Sequence, residues 1–339
     1  MKGFKYVQLL ILVLVIGAAI YITVQPNSFE VTRSRTIKAP AAVIYDHIID
    51  FKNWEAWSPW IEQDSTITLT YPEQTKGVGG SYSWRDKDGV GTMKTLEAEA
   101  DRTITQEMQF EDFPPSTITW RFNPMSSGET EVTWAISGED LPFGFKMYTV
   151  LKGGMEEQIG PNFERGLEKL DSMVIADMNT YRITIDGLTE YSGGYYLYNT
   201  TSCKISDFET KMMEMMPKVE QFVTDHHINT AGASFVSFLK WDEANNATIF
   251  SCCVPTSEKV IATESDIQTG KLEPFKAIKT TLTGDYEHLK EAWDKAMQYV
   301  TDNGYEFTQQ GPMLEVYQTD PENTPNPSKW ITEIYIAVK

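Results

Sequence analysis

Residues 311–339 read GPMLEVYQTDPENTPNPSKWITEIYIAVK, and the alternation in this closing stretch decides the fold expected of the second half of the chain. Two runs, 313–318 and 331–338, alternate with period two. They flank a connector holding Asp320, Pro321, Pro325 and Pro327, so they read as strands joined by an irregular loop. Successive side chains of a strand point to opposite faces. One set, Leu314, Val316, Thr332, Ile334, Ile336 and Val338, is almost wholly apolar and is expected to meet a core. The other, Met313, Glu315, Tyr317, Ile331, Glu333, Tyr335 and Ala337, places an acid and a tyrosine two residues apart on each strand. That face reads as a groove with aromatic walls and an anionic floor, suited to an organic cation through Coulomb attraction and cation–π contact. Glu333 is central in its run while Glu315 lies near the start of its own. Glu333 is therefore expected to be the less solvated acid and the main anionic contact, Glu315 the auxiliary, and Tyr317 and Tyr335 the aromatic walls. A solvated sheet face is the competing reading.

Composition narrows the function classes. The chain of 339 residues carries 48 acidic against 29 basic side chains, a formal net charge of -19. That balance repels nucleic acid, and no basic stripe offsets it. Cys203, Cys252 and Cys253 are too few for a disulfide framework and lack metal-site spacing, and no histidine belongs to an HExxH pattern. No metal or cofactor is expected. Neither a GxSxG motif nor a Cys/His constellation offers an activated nucleophile. His47 and Asp50 read as cap or surface residues.

At the amino terminus, YVQLLILVLVIGAAIYITV, residues 6–24, contains no charge and follows Lys2 and Lys5. As a helix it reaches roughly 28 Å, close to the hydrocarbon thickness of a bilayer. Residues 1–28 are expected to form an uncleaved single-pass anchor rather than a signal peptide, whose apolar part is normally shorter. The two lysines favour the amino terminus inside and the soluble domains on the extracytoplasmic side of the cytoplasmic membrane, although Arg33, Arg35 and Lys38 weaken the bias.

Residues 29–178 read as a first soluble domain, in which a strand and a short helix precede a stretch with Trp54, Trp57 and Trp60. Asn53, Ser58 and Pro59 favour a folded-over loop there, with the three tryptophans as core or cavity-rim residues and ligand candidates. Five strand-like runs follow between 81 and 138. A longer helical pattern closes the domain, and Gly160 and Pro161 predict a kink or interruption in it. The wording IKAPAAVIYDHIIDFKNWEAWSPWIEQD (37–64), GVGGSYSW (77–84), GVGTMKTLEAE (89–99), TEVTWAISGE (130–139) and NFERGLEKL (162–170) resembles the START-like, or polyketide cyclase/dehydrase-like (SRPBCC), superfamily of helix-grip folds. The resemblance spans about residues 30–176 and implies a cavity between a curved sheet and the long helix.

From residue 179 to 339 the grammar is strand, helix, strand, strand, twice. Ser206 aligns with Asp285 and Gly232 with Gly311 at an offset of 79, which makes Val236 the counterpart of Glu315. A longer second connector shifts the offset to 84, pairing Ile249 with Glu333. Each half is too small to bury its own sheet, so the two are expected to form one continuous sheet with helices on one face and a groove on the other. Pro217 should interrupt or bend the first of these helices. YYLYN (195–199), GDYEHLKEAWDKAMQYVTDNGYE (284–306) and the closing stretch resemble the GyrI-like small-molecule-binding domain, also the effector-binding domain of AraC-type activators. That family implies a cleft for lipophilic, often cationic molecules, with an acid that falls on Glu315 or Glu333. Some relatives hydrolyse strained cyclopropane-bearing compounds. No helix-turn-helix module precedes the domain here, so direct DNA control is not expected. The expected class is α+β, an anchor, a helix-grip domain and a duplicated domain. The expected function is membrane-anchored binding of a lipophilic or amphipathic, cationic small molecule, with a hydrolase or a cavity-poor scaffold as alternatives.

Overall fold

In the computed structural model, which describes residues 2–262, 266–308 and 311–339, each strand expected from alternation is present, in two separate antiparallel sheets. The chain divides into the units Met1–Asp177 and Met178–Lys339. The first begins with helix α1, Lys2–Thr23, whose segment Phe4–Thr23 is long and apolar enough to cross a membrane and carries no buried residue.

After α1 come β1 (Phe29–Ile37), α2 (Ala41–Ile49), α3 (Trp54–Trp57) and α4 (Pro59–Gln63). Strands β2 (Thr68–Thr70), β3 (Ser81–Arg85), β4 (Val90–Glu99), β5 (Thr103–Phe110), β6 (Ser116–Pro124) and β7 (Thr130–Gly138) complete a sheet of order β1-β7-β6-β5-β4-β3-β2. Helices α5 (Phe143–Leu151) and α6 (Met155–Met178) follow. Alternation works as expected: Ile118, Trp120 and Phe122 of β6 and Val132, Trp134 and Ile136 of β7 point inward and are buried. The long helix closes over them through Phe163, Leu167, Leu170 and Val174, and Phe163 stacks on Trp134 with ring centroids 3.9 Å apart.

Local detail departs from the sequence reading. The tryptophan stretch is not an irregular loop but two short helices after a 3-10 turn. Asp50 caps that turn by accepting from the Lys52 N–H, and Pro59 occupies the first turn of α4, where a missing N–H costs nothing. Of the two readings of each proline, a kink and an interruption, the interruption is excluded: Pro161 and Pro217 lie inside continuous helices whose buried apolar faces run on past them. Helix α5 and the short strands β2 and, in the second unit, Gln268–Leu272 have too few periodic positions to stand out from loop in the sequence.

The second unit runs β8 (Arg182–Tyr191), β9 (Gly194–Cys203), α7 (Phe208–Asp225), β10 (Phe235–Asp242), β11 (Ala247–Thr256), β12 (Gln268–Leu272), β13 (Phe275–Thr283), α8 (Leu289–Asp302), β14 (Met313–Tyr317) and β15 (Ile331–Ala337). Its sheet has the order β12-β9-β11-β10-β14-β15-β13-β8. The repeat is thus real: β9-β11-β10 mirrors β13-β15-β14 about the β10–β14 seam, where Val236 lies directly opposite its repeat counterpart Glu315. Helices α7 and α8 pack on one face through Val219 and Val223 and through Ala292, Ala296 and Val300. The opposite face carries a separate apolar cluster of Phe235, Cys253, Leu314 and Val316, edged by Tyr191, Tyr196 and Tyr335. Adjacent Cys252 and Cys253 serve one face each.

Because Phe163 is fully buried and stacked on the sheet, Phe163→Ala should lower the unfolding free energy by about 3–5 kcal/mol, the usual cost of such a truncation. Denaturant unfolding of the purified chain checks this, and an unchanged midpoint for the first unit would contradict the packing described.

Candidate ligand sites

Register between β14 and β15 separates the two acids. Glu315 lies opposite Ile334 and Val316 opposite Glu333. Directly paired residues share a face, so Glu315, Tyr317, Thr332, Ile334 and Ile336 look toward the helices, while Leu314, Val316, Glu333 and Tyr335 look away from them. The single Tyr/Glu face expected from the two runs is therefore corrected. Each strand alternates as read, but alternation within a strand leaves the phase between strands open.

On the helix-free face, Glu333 sits in an aromatic setting with its side chain 15% exposed. Its carboxylate accepts from Tyr335 OH at 2.8 Å and Gln318 Nε2 at 2.8 Å, and pairs with Lys279 Nζ at 2.6 Å. Lys279 Nζ also stands 5.9 Å from the Tyr335 ring centroid. Tyr191 meets Tyr335 edge-on at 4.9 Å and stacks on Phe275 at 5.2 Å. Burial alone would raise the Glu333 pKa, but the hydrogen bonds from Lys279, Tyr335 and Gln318 outweigh it and hold the carboxyl below its ordinary value. Burial, then the bond to Glu333, pushes the Tyr335 phenol up, so it serves as a neutral donor.

Glu315 is the more buried acid, only 3% exposed, which reverses the expected order of solvation. Its β14 position is central to the sheet, next to the seam, although it is near the start of its own strand. Trp293 Nε1 of α8 donates to one carboxylate oxygen and Tyr317 OH to the other at 2.8 Å. Tyr286 closes edge-on against Tyr317 at 5.5 Å. Burial raises the Glu315 pKa, and the two donors offset part of the rise.

In the first unit a cavity of about 410 Å³ opens between sheet and long helix, lined by Trp60, Trp84, Phe113, Tyr148 and Phe163 among others. Trp60 reaches it. Trp54 and Trp57 do not: they are 2% and 0% exposed, Trp54 Nε1 donating to Ile48 O at 2.8 Å and both rings packing edge-on against Trp120 and Trp134. His47 pairs with Asp177 at 3.3 Å. Among the described residues, no three His, Cys, Asp or Glu side chains are grouped to hold a metal ion.

Lys279, Gln318 and Trp293 were not singled out as site residues. Lys279 had a signal, as a charge alternating with Ile278 and Leu282 in β13. So had Trp293, an indole on the apolar stripe of a helix, whose N–H needs an acceptor once buried.

Residues 28–174 match the family described as polyketide cyclase / dehydrase and lipid transport, and residues 199–339 match the GyrI-like small molecule binding domain. The chain joins a polyketide-cyclase-like domain to a GyrI-like domain. Among solved structures, the C-terminal domain of EcmrR is 19% identical, with a TM-score of 0.41, covering 47% of this chain and 98% of that one. Protein CV1439 from Chromobacterium violaceum is 19% identical at a TM-score of 0.33, covering 44% and 98%. SAV2435, bound to tetraphenylphosphonium, is 15% identical at 0.34, covering 47% and 94%. No curated protein matches the chain.

The two acids of the GyrI-like domain should respond to pH with opposite signs. Glu315 has a folded pKa above its unfolded one, so its contribution to stability is full below about pH 4.3 and is lost as pH rises through the folded value. Glu315→Gln keeps a carbonyl oxygen for Trp293 or Tyr317 and removes the buried charge. The variant should melt at or above the wild-type temperature at neutral pH, with the gap closing toward about pH 4. A variant that melts lower at neutral pH would show that the ionised acid is needed there.

Proposed function

We propose that the GyrI-like domain binds an amphipathic or aromatic organic cation on the helix-free face of its sheet, with Glu333 as the anionic contact and Tyr335 and Tyr191 as aromatic walls. One observation carries this reading: the ammonium of Lys279 already pairs with the Glu333 carboxylate and stands 5.9 Å from the centre of the Tyr335 ring. The site satisfies a cation from its own chain, and a ligand cation replaces a flexible lysine rather than filling an untested environment. The lowered pKa of Glu333 supports it, since the acid is ionised at neutral pH. Glu315 and Tyr317 look to the other face and take no part in this contact.

In this reading residues 1–28 are a single-pass anchor in the cytoplasmic membrane. Residues 29–178 are a START-like domain with a second ligand cavity at Trp60, and residues 179–339 are the cation-binding domain, both on the extracytoplasmic side. The anchor holds the two sites near compounds dissolved in lipid. The net charge of -19 disfavours nucleic acid as a partner. A hydrolase acting on strained cyclopropane compounds gains no support from the acids. A general base wants a raised pKa in reach of water, whereas Glu333 is reachable but lowered and Glu315 is raised but sealed. A cavity-poor scaffold fits poorly with a cavity of about 410 Å³ in the first unit, since ligand pockets begin near 300 Å³.

Calorimetry of the full chain in detergent, with tetraphenylphosphonium and a neutral tetraaryl isostere as probes, tests the assignment. Glu333→Gln should weaken the cation by about 1.5–3 kcal/mol, roughly ten- to hundredfold, with little effect on the neutral probe. Lys279→Met should tighten the cation, because the internal competitor is gone. Affinity should also fall as pH drops through the lowered pKa of Glu333. Equal losses for both probes in Glu333→Gln would remove the charge role, and a selective loss in Glu315→Gln alone would move it to the helix side.

A further inference from the structure

Helix α5 has two different faces. Phe143, Met147 and Leu151 recur every four residues, forming one stripe, and are 47%, 42% and 77% exposed. Isolated exposed apolar residues are ordinary, but an aligned row of three large ones marks a face meant for contact. No acid occurs between Phe143 and Leu151, in a chain whose acids outnumber its bases by 48 to 29, and exposed Lys152 follows at once. The inner face is different: Phe145 and Tyr148, with Lys152 beyond the helix end, line the cavity of the first unit.

What lies beside this helix identifies its partner. Helix α5 packs against α1, the helix long and apolar enough to cross a membrane. Lys146, only 6% exposed, donates to the backbone carbonyls of Thr23 at 3.4 Å and Gln25 at 2.8 Å, and to Asn27 Oδ1. Carbonyls at a helix end lack partners within the helix, and a lysine from α5 supplies them here. The end of α1 and the start of α5 are thereby held at one level. For a spanning helix, that level is the boundary between lipid and water.

We propose that α5 lies in the plane of the membrane interface, with Phe143, Met147 and Leu151 on lipid and Phe145 and Tyr148 walling the cavity. The proposal rests on reading α1 as a membrane span. An in-plane amphipathic helix sinks its apolar face roughly 5–10 Å into the headgroup and acyl boundary. The cavity is then separated from lipid by one short helix. Gly153 and Gly154, at φ 89° and 102°, form a break between that helix and α6. A hydrophobic ligand enters the cavity from the bilayer past α5, without crossing water.

The test uses the full chain in phosphatidylcholine liposomes, with a polarity-sensitive fluorophore on M147C in a C203S background that removes the partly exposed thiol. The same label on L12C in α1, at the middle of the span and read with lipid spin-labelled near the end of its acyl chain, reports the span, and on M125C, in the exposed turn after β6, it reports solvent. The expected result is blue-shifted emission from the Met147 position and strong quenching by lipid spin-labelled near the headgroup, with the Met125 position unaffected. If the Leu12 label is quenched but the Met147 label behaves like that at Met125, α5 is off the membrane although α1 spans it. If the Leu12 label is not quenched either, the span itself fails and the proposal falls with it. A Met147 label that is shielded only at high protein density, and not quenched by lipid, would overturn the proposal in favour of a second copy of the chain on this face.

Discussion

Because Val316 lies opposite Glu333 and Ile334 opposite Glu315, the pairing of β14 with β15 assigns each acid to its own side of the sheet. A slip of one residue would exchange every side chain of one strand between faces. It would drive Glu333 under the helices and bring Ile334 and Ile336 into the open, so burial of the α8 core and placement of the charge are enforced by the same register. The connector between the strands contributes too. Trp330 Nε1 donates to Thr324 O at 2.7 Å and Asn326 accepts from Ser328 N at 3.0 Å, which fixes the loop rather than leaving it to drift.

Two glutamates with similar local wording therefore live in different dielectric worlds. Glu333 gains a cation, a phenol and an amide while keeping some water, and stays ionised. Glu315 gains an indole and a phenol but loses nearly all solvent, and its pKa is raised. Hydrogen-bond donors are present at both, so number of donors does not distinguish them; a nearby positive charge and residual solvent do.

Much of the architecture was legible because it follows from period and punctuation. The strands, the long helices, the apolar amino-terminal run and the two-fold repetition all appear as patterns within single segments. Legibility ended where segments meet. Alternation in 313–318 and 331–338 carried no information on their mutual phase, so Glu315 and Tyr317 were grouped with Glu333 and Tyr335. Lys279, which completes the Glu333 site, comes from β13, whose pairing with β15 is fixed only by the strand order of the whole sheet. The tryptophan stretch was read by its Ser-Pro break and not by the short turns of helix on either side, where the break is a boundary between two helices. Trp54, Trp57 and Trp60 read alike as core or rim residues and ligand candidates, and only the packed structure separates the two core rings from Trp60 at the cavity.

The mirrored strand order places Val236 and Glu315 on the local symmetry axis of the second unit, facing each other at the seam. If two identical copies of one repeat assembled as a homodimer in this geometry, the same residue would meet itself there. A glutamate would bring two carboxylates within about 5 Å in an apolar interior, where they could not both ionise. A valine carries no such penalty. Encoding both halves in one polypeptide removes that penalty, because the acid on the axis can then face an apolar residue, Val236, instead of a second acid.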